Sequence, residues 1–262
     1  MKGHQARKRF GQNFLADPHY VRRILDAVAP QPGDNLVEIG PGLAALTGEL
    51  IARAGHLTAI EIDRDLAARL REQFAPDALV LHEADALEFD YAALGERLRV
   101  VGNLPYNISS PLLFRLAAHV SQLRDVHVML QKEVVARMVA APGTSDYGRL
   151  SVMLQVDFRI ERLFVVPPGA FRPVPKVESA VARLTPLGDT ARHAADPVLF
   201  ARIVTAAFAQ RRKTLRNALS ELCGPDALIA VGIDPGARGE TLAVADFVRL
   251  ADRLAGDGRV VN

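Results

Sequence analysis

The chain has 262 residues, 49% hydrophobic and 24% charged, a composition that supports a real core and a length that suits one large domain with a small one. Its single cysteine, Cys223, excludes an internal disulfide framework, and no secretory leader or bilayer-spanning apolar run is legible, so a reducing, cytoplasmic setting is expected with no membrane partner. The net charge of +2 conceals a segregation: Lys2, Arg7, Lys8 and Arg9 within residues 1–16, and Arg202, Arg211, Arg212, Lys213 and Arg216 within residues 197–220, stand without any acid, which leaves the rest of the chain net acidic.

After the basic arm, Asp17 and Pro18 have the chemistry of a helix cap and first helical residue, and Val21, Ile24, Leu25 and Val28 recur on one helical face. A strand is predicted over 35–40, a helix over 43–55, a strand over 57–63 and a charged helix from Arg64 to Phe74. Strands follow over 78–85 and 97–103, a helix near 111–119, a strand over 125–130 and a helix over 132–140. Strands alternating with helices predict a mostly parallel, doubly wound α/β sheet. Past Gly143 the rhythm changes. "RLSVMLQVDFRIERLFVVPP" contains two strand-like runs with no evident helix between them, and 179–186 reads as another strand, so antiparallel strands are expected to finish the sheet. Residues 187–197 read as a linker and the remainder as helical. The predicted organisation is a Rossmann-like α/β domain over 1–187, carrying the basic arm, and a small all-helical domain over 188–262.

The stretch "EIGPGLAALT" lies where a strand opens into a helix, and Gly40 and Gly42 permit a tight turn and close approach of a ligand to the backbone. Glu61 ends the next strand, where a carboxylate can accept both hydrogen bonds of a ribose diol, and Asp85 ends the third, within reach of an adenine amino group. The pattern suits an adenosine-type ligand. Glu38, just before the turn, would repel a pyrophosphate and favours a cationic or zwitterionic ligand, which leans toward S-adenosylmethionine and away from a nicotinamide dinucleotide. The histidines show no metal-ligand spacing, and no metal is expected.

Asn103, Leu104, Pro105 and Tyr106 stand where the fourth strand ends. An adenine amino group is a weak nucleophile because its lone pair is delocalised into the ring. Acceptors for both of its N–H groups, here the Asn103 side-chain carbonyl and the Leu104 main-chain carbonyl, favour a pyramidal nitrogen with a localised pair. Pro105 restricts the residue before it to extended backbone and so aims the Leu104 carbonyl, while Tyr106 offers a face on which an extruded base can stack.

Taken together, "GNLPYN", "EIGPG", "RKRFGQNFL" (7–15), "LQKEV" (130–134), "YGRLSV" (147–152), "FRPVPKVESAV" (171–181) and "FAQRRKTLRNAL" (208–219) resemble the small-subunit ribosomal RNA adenine dimethyltransferases, nearer to bacterial than to eukaryotic or mitochondrial members, over essentially the whole chain. The resemblance implies transfer of methyl groups from S-adenosylmethionine, leaving S-adenosylhomocysteine. The acceptors it implies are the N6 atoms of two adjacent adenosines in the 3′-terminal hairpin loop of 16S rRNA, within the 30S subunit or its precursor. It places the donor against Asn13, Leu15, Gly40, Glu61, Asp85 and Asn103, and the target base against Asn103, Leu104, Pro105, Tyr106 and Phe171, with Phe171 and Tyr106 as a clamp. The basic arm (Arg7, Lys8, Arg9) and the cluster Arg211, Arg212, Lys213 and Arg216 would then meet RNA phosphates, with Arg212 and Arg216 sharing one helix face. A monomer is expected. The turn alone also admits methyltransferases of DNA, 23S rRNA or protein glutamine, and the basic faces alone admit a factor that only binds immature subunits.

Overall fold

The computed structural model describes residues 12–256, and the chain divides into two compact units: one runs to Val135 and resumes over Ile160–Pro186, and the other comprises Ala136–Arg159 and the chain from Leu187 on.

The first unit is built on a mixed sheet. Its strands are β2 (Leu36–Ile39), β3 (Leu57–Glu61), β4 (Leu79–Glu83), β5 (Leu98–Asn103), β6 (Leu123–Gln131), β7 (Phe158–Val166) and β9 (Ser179–Pro186), in the order β4-β3-β2-β5-β6-β9-β7. The pairs from β4 to β6 are parallel, and β6 pairs antiparallel with β9 through registers such as Gln131↔Ser179. Every residue of "LVEI" in β2 and "LTAIE" in β3 is buried, as expected of strands covered on both faces. Helices α2 (Thr47–Ala54), α3 (Arg64–Gln73) and α4 (Ser109–Ala117) follow β2, β3 and β5. Helix α1 (Pro18–Val28) is capped by Asp17, whose carboxylate accepts from the His19 N–H at 2.8 Å, and it buries Ile24, Leu25 and Val28. A separate two-stranded ribbon pairs β1 (Phe14–Leu15) with β8 (Phe171–Arg172), matching Leu15 to Phe171.

Along this sheet the chain moves from β2 outward through β3 to β4, then returns to β5 and proceeds outward the other way to β6. The direction reverses between β2 and β5, and such a switch point opens a crevice at the carboxyl ends of the strands. Gly102 lets the two strands meet there: a Cβ on it would come within 2.8 Å of the Ile39 carbonyl oxygen. At the opposite end of β5, the guanidinium of Arg99 is 6% exposed and paired with Asp34 at 2.6 Å and Asp125 at 2.9 Å.

The second unit is helical. It contains the second half of α5 (Lys132–Val139), then α6 (Arg149–Gln155), α7 (Pro197–Ala209), α8 (Leu215–Ala218), α9 (Pro225–Ala230) and α10 (Val244–Gly256). Phe200, Ile203, Val204, Leu215, Leu219, Phe247 and Leu250 form its core, together with Tyr147 and Val152. Asp196 caps α7, accepting from the Val198 and Leu199 N–H groups, with Pro197 as its first residue.

Three sequence expectations differ from what is found here. The first strand-like run after Gly143 is helix α6: Ser151 Oγ accepts from the Gly148 N–H at 3.1 Å at its start, and Ser151, Val152 and Leu154 face inward. Residues 136–159, placed by the sequence in the 1–187 domain, belong to the helical unit, because Tyr147, Val152 and Val156 bury their side chains in its core. Arg212 does not share a helix face with Arg216: extended backbone at Gln210 (ψ 93°) and Thr214 (ψ 157°) ends α7 and caps α8, leaving Arg212 in the turn between them.

Candidate active site

The crevice at the switch point is a cavity of about 130 Å³ lined by residues from the ends of four strands: Gly40 and Gly42 after β2, Glu61 and Ile62 from β3, Asp85 after β4, and Asn103 to Ile108 from β5 onward, with Gln12, Asn13 and Phe14 contributed by the segment leading into β1. Gly40 and Gly42 adopt φ of 66° and 58°, in the left-handed region that disfavours other residues. A Cβ at Gly42 would also press on the Phe14 ring at 3.0 Å, whereas one at Gly40 would project into open space.

The acids on the donor side are held by backbone groups and keep acceptor capacity in reserve. Glu61 accepts from the Gly42 N–H at 3.1 Å on one oxygen and from the Asp63 N–H at 2.9 Å on the other. Burial raises its pKa against those hydrogen bonds. Asp85 uses Oδ1 to accept from the Leu87 N–H at 2.9 Å. Each carboxylate oxygen carries two lone pairs, so both groups can accept further bonds from a ligand. Ile62 is 44% exposed and lines the same space as Ile39, Ile60 and Leu66. Flat apolar walls interrupted by two carboxylates match an adenosine, whose ring needs contact and whose hydroxyls and amino group need acceptors.

Glu38 is 2% exposed and lines an adjoining recess with Gly40, Pro41, Gly42, Leu43 and Asn103. Burial pushes its pKa up to about 7, with the nearby Glu61 adding to the rise, while the Thr47 hydroxyl, donating to Glu38 Oε2 at 2.7 Å, pulls the other way. A carboxyl group in this state is short of a positive partner. Leu15, in the second recess as well, is a buried wall and not a polar contact.

The corner from Asn103 to Tyr106 is fastened at every residue. Asn103 Nδ2 donates to the Asn13 carbonyl at 2.8 Å, which commits the amide nitrogen and leaves Oδ1 as the acceptor. The Leu104 N–H donates to the Met129 carbonyl at 3.1 Å, and its side chain is buried. Ser109 Oγ donates to the Pro105 carbonyl at 3.1 Å, and the Tyr106 hydroxyl bonds Ser179 Oγ at 2.8 Å.

Most of the residues expected from the sequence meet in this cavity or its adjoining recess: Asn13, Leu15, Glu38, Gly40, Gly42, Glu61, Asp85, Asn103, Leu104, Pro105 and Tyr106. Phe171 does not. It is 0% exposed and packs in the core with Leu15, Ile24, Met129 and Val181, because pairing of β8 with β1 turns its ring inward, so it forms no clamp with Tyr106 here. Sequence reasoning missed Phe14, Ile62 and Ile108, whose apolar side chains line the cavity. The arginines and lysine of the arm, Arg7, Lys8 and Arg9, lie outside the described residues. Arg211, Arg212, Lys213 and Arg216 are exposed in the second unit, where Arg211 donates to the Ser145 carbonyl at 2.6 Å.

A family model described as ribosomal RNA adenine dimethylase matches residues 3–256. The chain is 61% identical to the ribosomal RNA small subunit methyltransferase A of Aromatoleum aromaticum, over 97% of this chain and 96% of that one. It is 58% identical to the protein of the same name from Thiobacillus denitrificans, over 96% and 99%. Among solved structures, a dimethyladenosine transferase from Plasmodium falciparum shares the fold at a TM-score of 0.82 and 24% identity, covering 94% of this chain and 98% of that one. The 23S rRNA methyltransferase ErmE is similar at a TM-score of 0.71 and 29% identity, covering 93% and 100%.

Proposed function

The chain belongs to the ribosomal RNA adenine dimethylase family, and from that premise and the geometry of the strand ends we propose how it works and where on the ribosome it acts. It is an S-adenosylmethionine-dependent adenine dimethyltransferase of small-subunit ribosomal RNA. The substrate we assign is the pair of adjacent adenosines in the 3′-terminal hairpin loop of 16S rRNA, met in the 30S subunit or its precursor, by a cytoplasmic monomer.

S-adenosylmethionine, when bound, supplies a methyl carbon on a positively charged sulfur. Glu61 accepts the ribose hydroxyls, Asp85 accepts the adenine amino group, Ile62 and its aliphatic neighbours cover the ring, and Glu38 answers the ammonium of the amino-acid end. On the target side, Asn103 Oδ1 and the Leu104 carbonyl accept the two N6–H bonds of an extruded adenine that stacks on Tyr106. With both N–H bonds held, the nitrogen pair points toward the methyl carbon. The N–C bond forms as the C–S bond breaks with its electrons passing to sulfur, and the nitrogen then sheds a proton to water. The chain supplies position and fixed dipoles, and no side chain need act as a strong base or metal ligand. The observation that carries this reading is the Asn103 amide, oriented by the Asn13 carbonyl at the switch point.

The exposed Arg212, Lys213 and Arg216, with the arm residues Arg7, Lys8 and Arg9, serve as phosphate contacts. A labelled donor incubated with unmethylated small subunits, 23S rRNA and DNA, followed by mapping of the modified nucleotides, tests the assignment. Label is expected at the two hairpin adenosines alone, and label confined to 23S rRNA or DNA overturns it. Charge reversal of Arg212, Lys213 and Arg216 is expected to weaken subunit binding at least ten-fold and to flatten its salt dependence, with donor binding unchanged.

A further inference from the structure

Tyr106 is held by a residue far along the chain. Its hydroxyl bonds Ser179 Oγ at 2.8 Å, and Ser179 is 0% exposed at the first position of β9, registered against Gln131 at the end of β6. Tyr106 follows β5 and Ser179 opens β9, the second strand over in the sheet order, so the bond links the two strands' ends across β6. A tyrosine side chain has two main torsions. Packing at its root and a hydrogen bond at its tip fix both, while the ring still lines the cavity. The backbone on either side is fastened independently, through the Met129 and Pro105 carbonyls, so the Ser179 bond governs the ring and not the turn.

We infer that Ser179 is a positioning residue that holds the Tyr106 ring for the second of the two methyl transfers to one adenine. The inference rests on the reading of Tyr106 as the stacking platform. Before the first transfer, N6 carries two hydrogens, and both Asn103 Oδ1 and the Leu104 carbonyl can hold it. After the transfer one hydrogen has been replaced by a methyl group, and one of those acceptors has lost its donor. The base is then held by a single hydrogen bond and by stacking, so the angle and firmness of the ring matter more. A residue that fixes the ring should therefore separate dimethylation from monomethylation.

The test is a single-turnover assay on unmethylated small subunits with nucleoside mass spectrometry, resolving N6-methyl- from N6,N6-dimethyladenosine. Ser179→Ala is expected to slow the second transfer about ten-fold more than the first, so that the monomethyl product accumulates. Ser179→Thr, which keeps the hydroxyl, is expected to restore the product ratio. Tyr106→Phe removes the same bond from the other side and is expected to show the same skew, and the double variant no more than either single one. Equal slowing of both transfers, or an unchanged ratio, in Tyr106→Phe and in any folded Ser179→Ala, overturns the inference. Tyr106→Ala separates the two layers. If it leaves both transfers intact, the stacking reading itself fails. If it abolishes transfer while Tyr106→Phe leaves the ratio unchanged, only the role of Ser179 falls.

Discussion

Strand β5 carries a polar residue near each end, and the two are treated in opposite ways. At its start, Arg99 is sealed: its nitrogens meet Asp34, Asp125 and the Val28 carbonyl, and Asp34 is further paired with Arg124 at 2.7 Å. Against the upward push of burial, the Gln31 N–H and Arg99 bring the Asp34 carboxyl below its usual range. At its other end, Asn103 has its nitrogen committed and its oxygen uncommitted, among carboxylates that have spent only part of their capacity on backbone amides. The same sheet thus closes its polar accounts at one edge and leaves them open at the other. Charges that satisfy one another hold a fold in a single arrangement, whereas groups with acceptors to spare are available to a ligand.

The contrast breaks most visibly at the closed end. Arg99→Ala leaves Asp34 and Asp125 buried without their main partner, and a loss of about 3–5 kcal/mol in folding stability is expected, read from the denaturant midpoint, with donor affinity unchanged in the folded fraction. At the open end the expectation inverts. Asn103→Ala should lower the rate of methyl transfer by about 10²–10³-fold, the cost of removing one preorganised polar group from a reacting centre, while changing stability by no more than about 1 kcal/mol. Donor binding, followed by calorimetry, should persist at reduced affinity.

Glu38 sharpens the comparison because it is buried like the closed end yet unpaired like the open one. Its folded pKa of about 7 lies above its ordinary 4.5, so the folded chain holds the proton more tightly than the unfolded one. The fold is therefore most secure below the ordinary value, loses stability as pH rises toward about 7, and loses no more above that. Glu38→Gln keeps an acceptor for Thr47 without the charge. Thermal melts from pH 4 to pH 9 should show the variant drawing level at the acid end and gaining up to about 3 kcal/mol over the parent at the alkaline end. Adding S-adenosylmethionine should narrow that gap, since a cation stabilises the ionised parent.

Much of this was legible in the residues. The strands β2 to β6 announce themselves as aliphatic runs bounded by glycine and acids, and the switch-point residues Gly40, Glu61, Asp85 and Asn103 fall at their ends. Helix α6 was hidden because "RLSVMLQ" is too short and too apolar for its period to separate helix from strand; its partners in the helical core decide. The inward turn of Phe171 was hidden for a similar reason: its pairing with Leu15 joins residues far apart in the chain, and no local pattern records that. Ile62 and Ile108 read as ordinary aliphatics, and only the folded cavity shows their faces open. The Tyr106–Ser179 bond likewise joins two motifs that carry no mark of each other.

The ribbon of Phe14 and Leu15 with Phe171 and Arg172 sets a schedule for a chain made from its amino end. Asn13, whose carbonyl orients the Asn103 amide, emerges from the translating ribosome early, but the strand beside it lacks its mate until Arg172 has been added. Ser179, which steadies Tyr106, comes later still. A nascent chain can therefore lay down the central strands while its cleft stays unfinished, and the methylating centre has all its parts only once residue 179 of the 262 has been added.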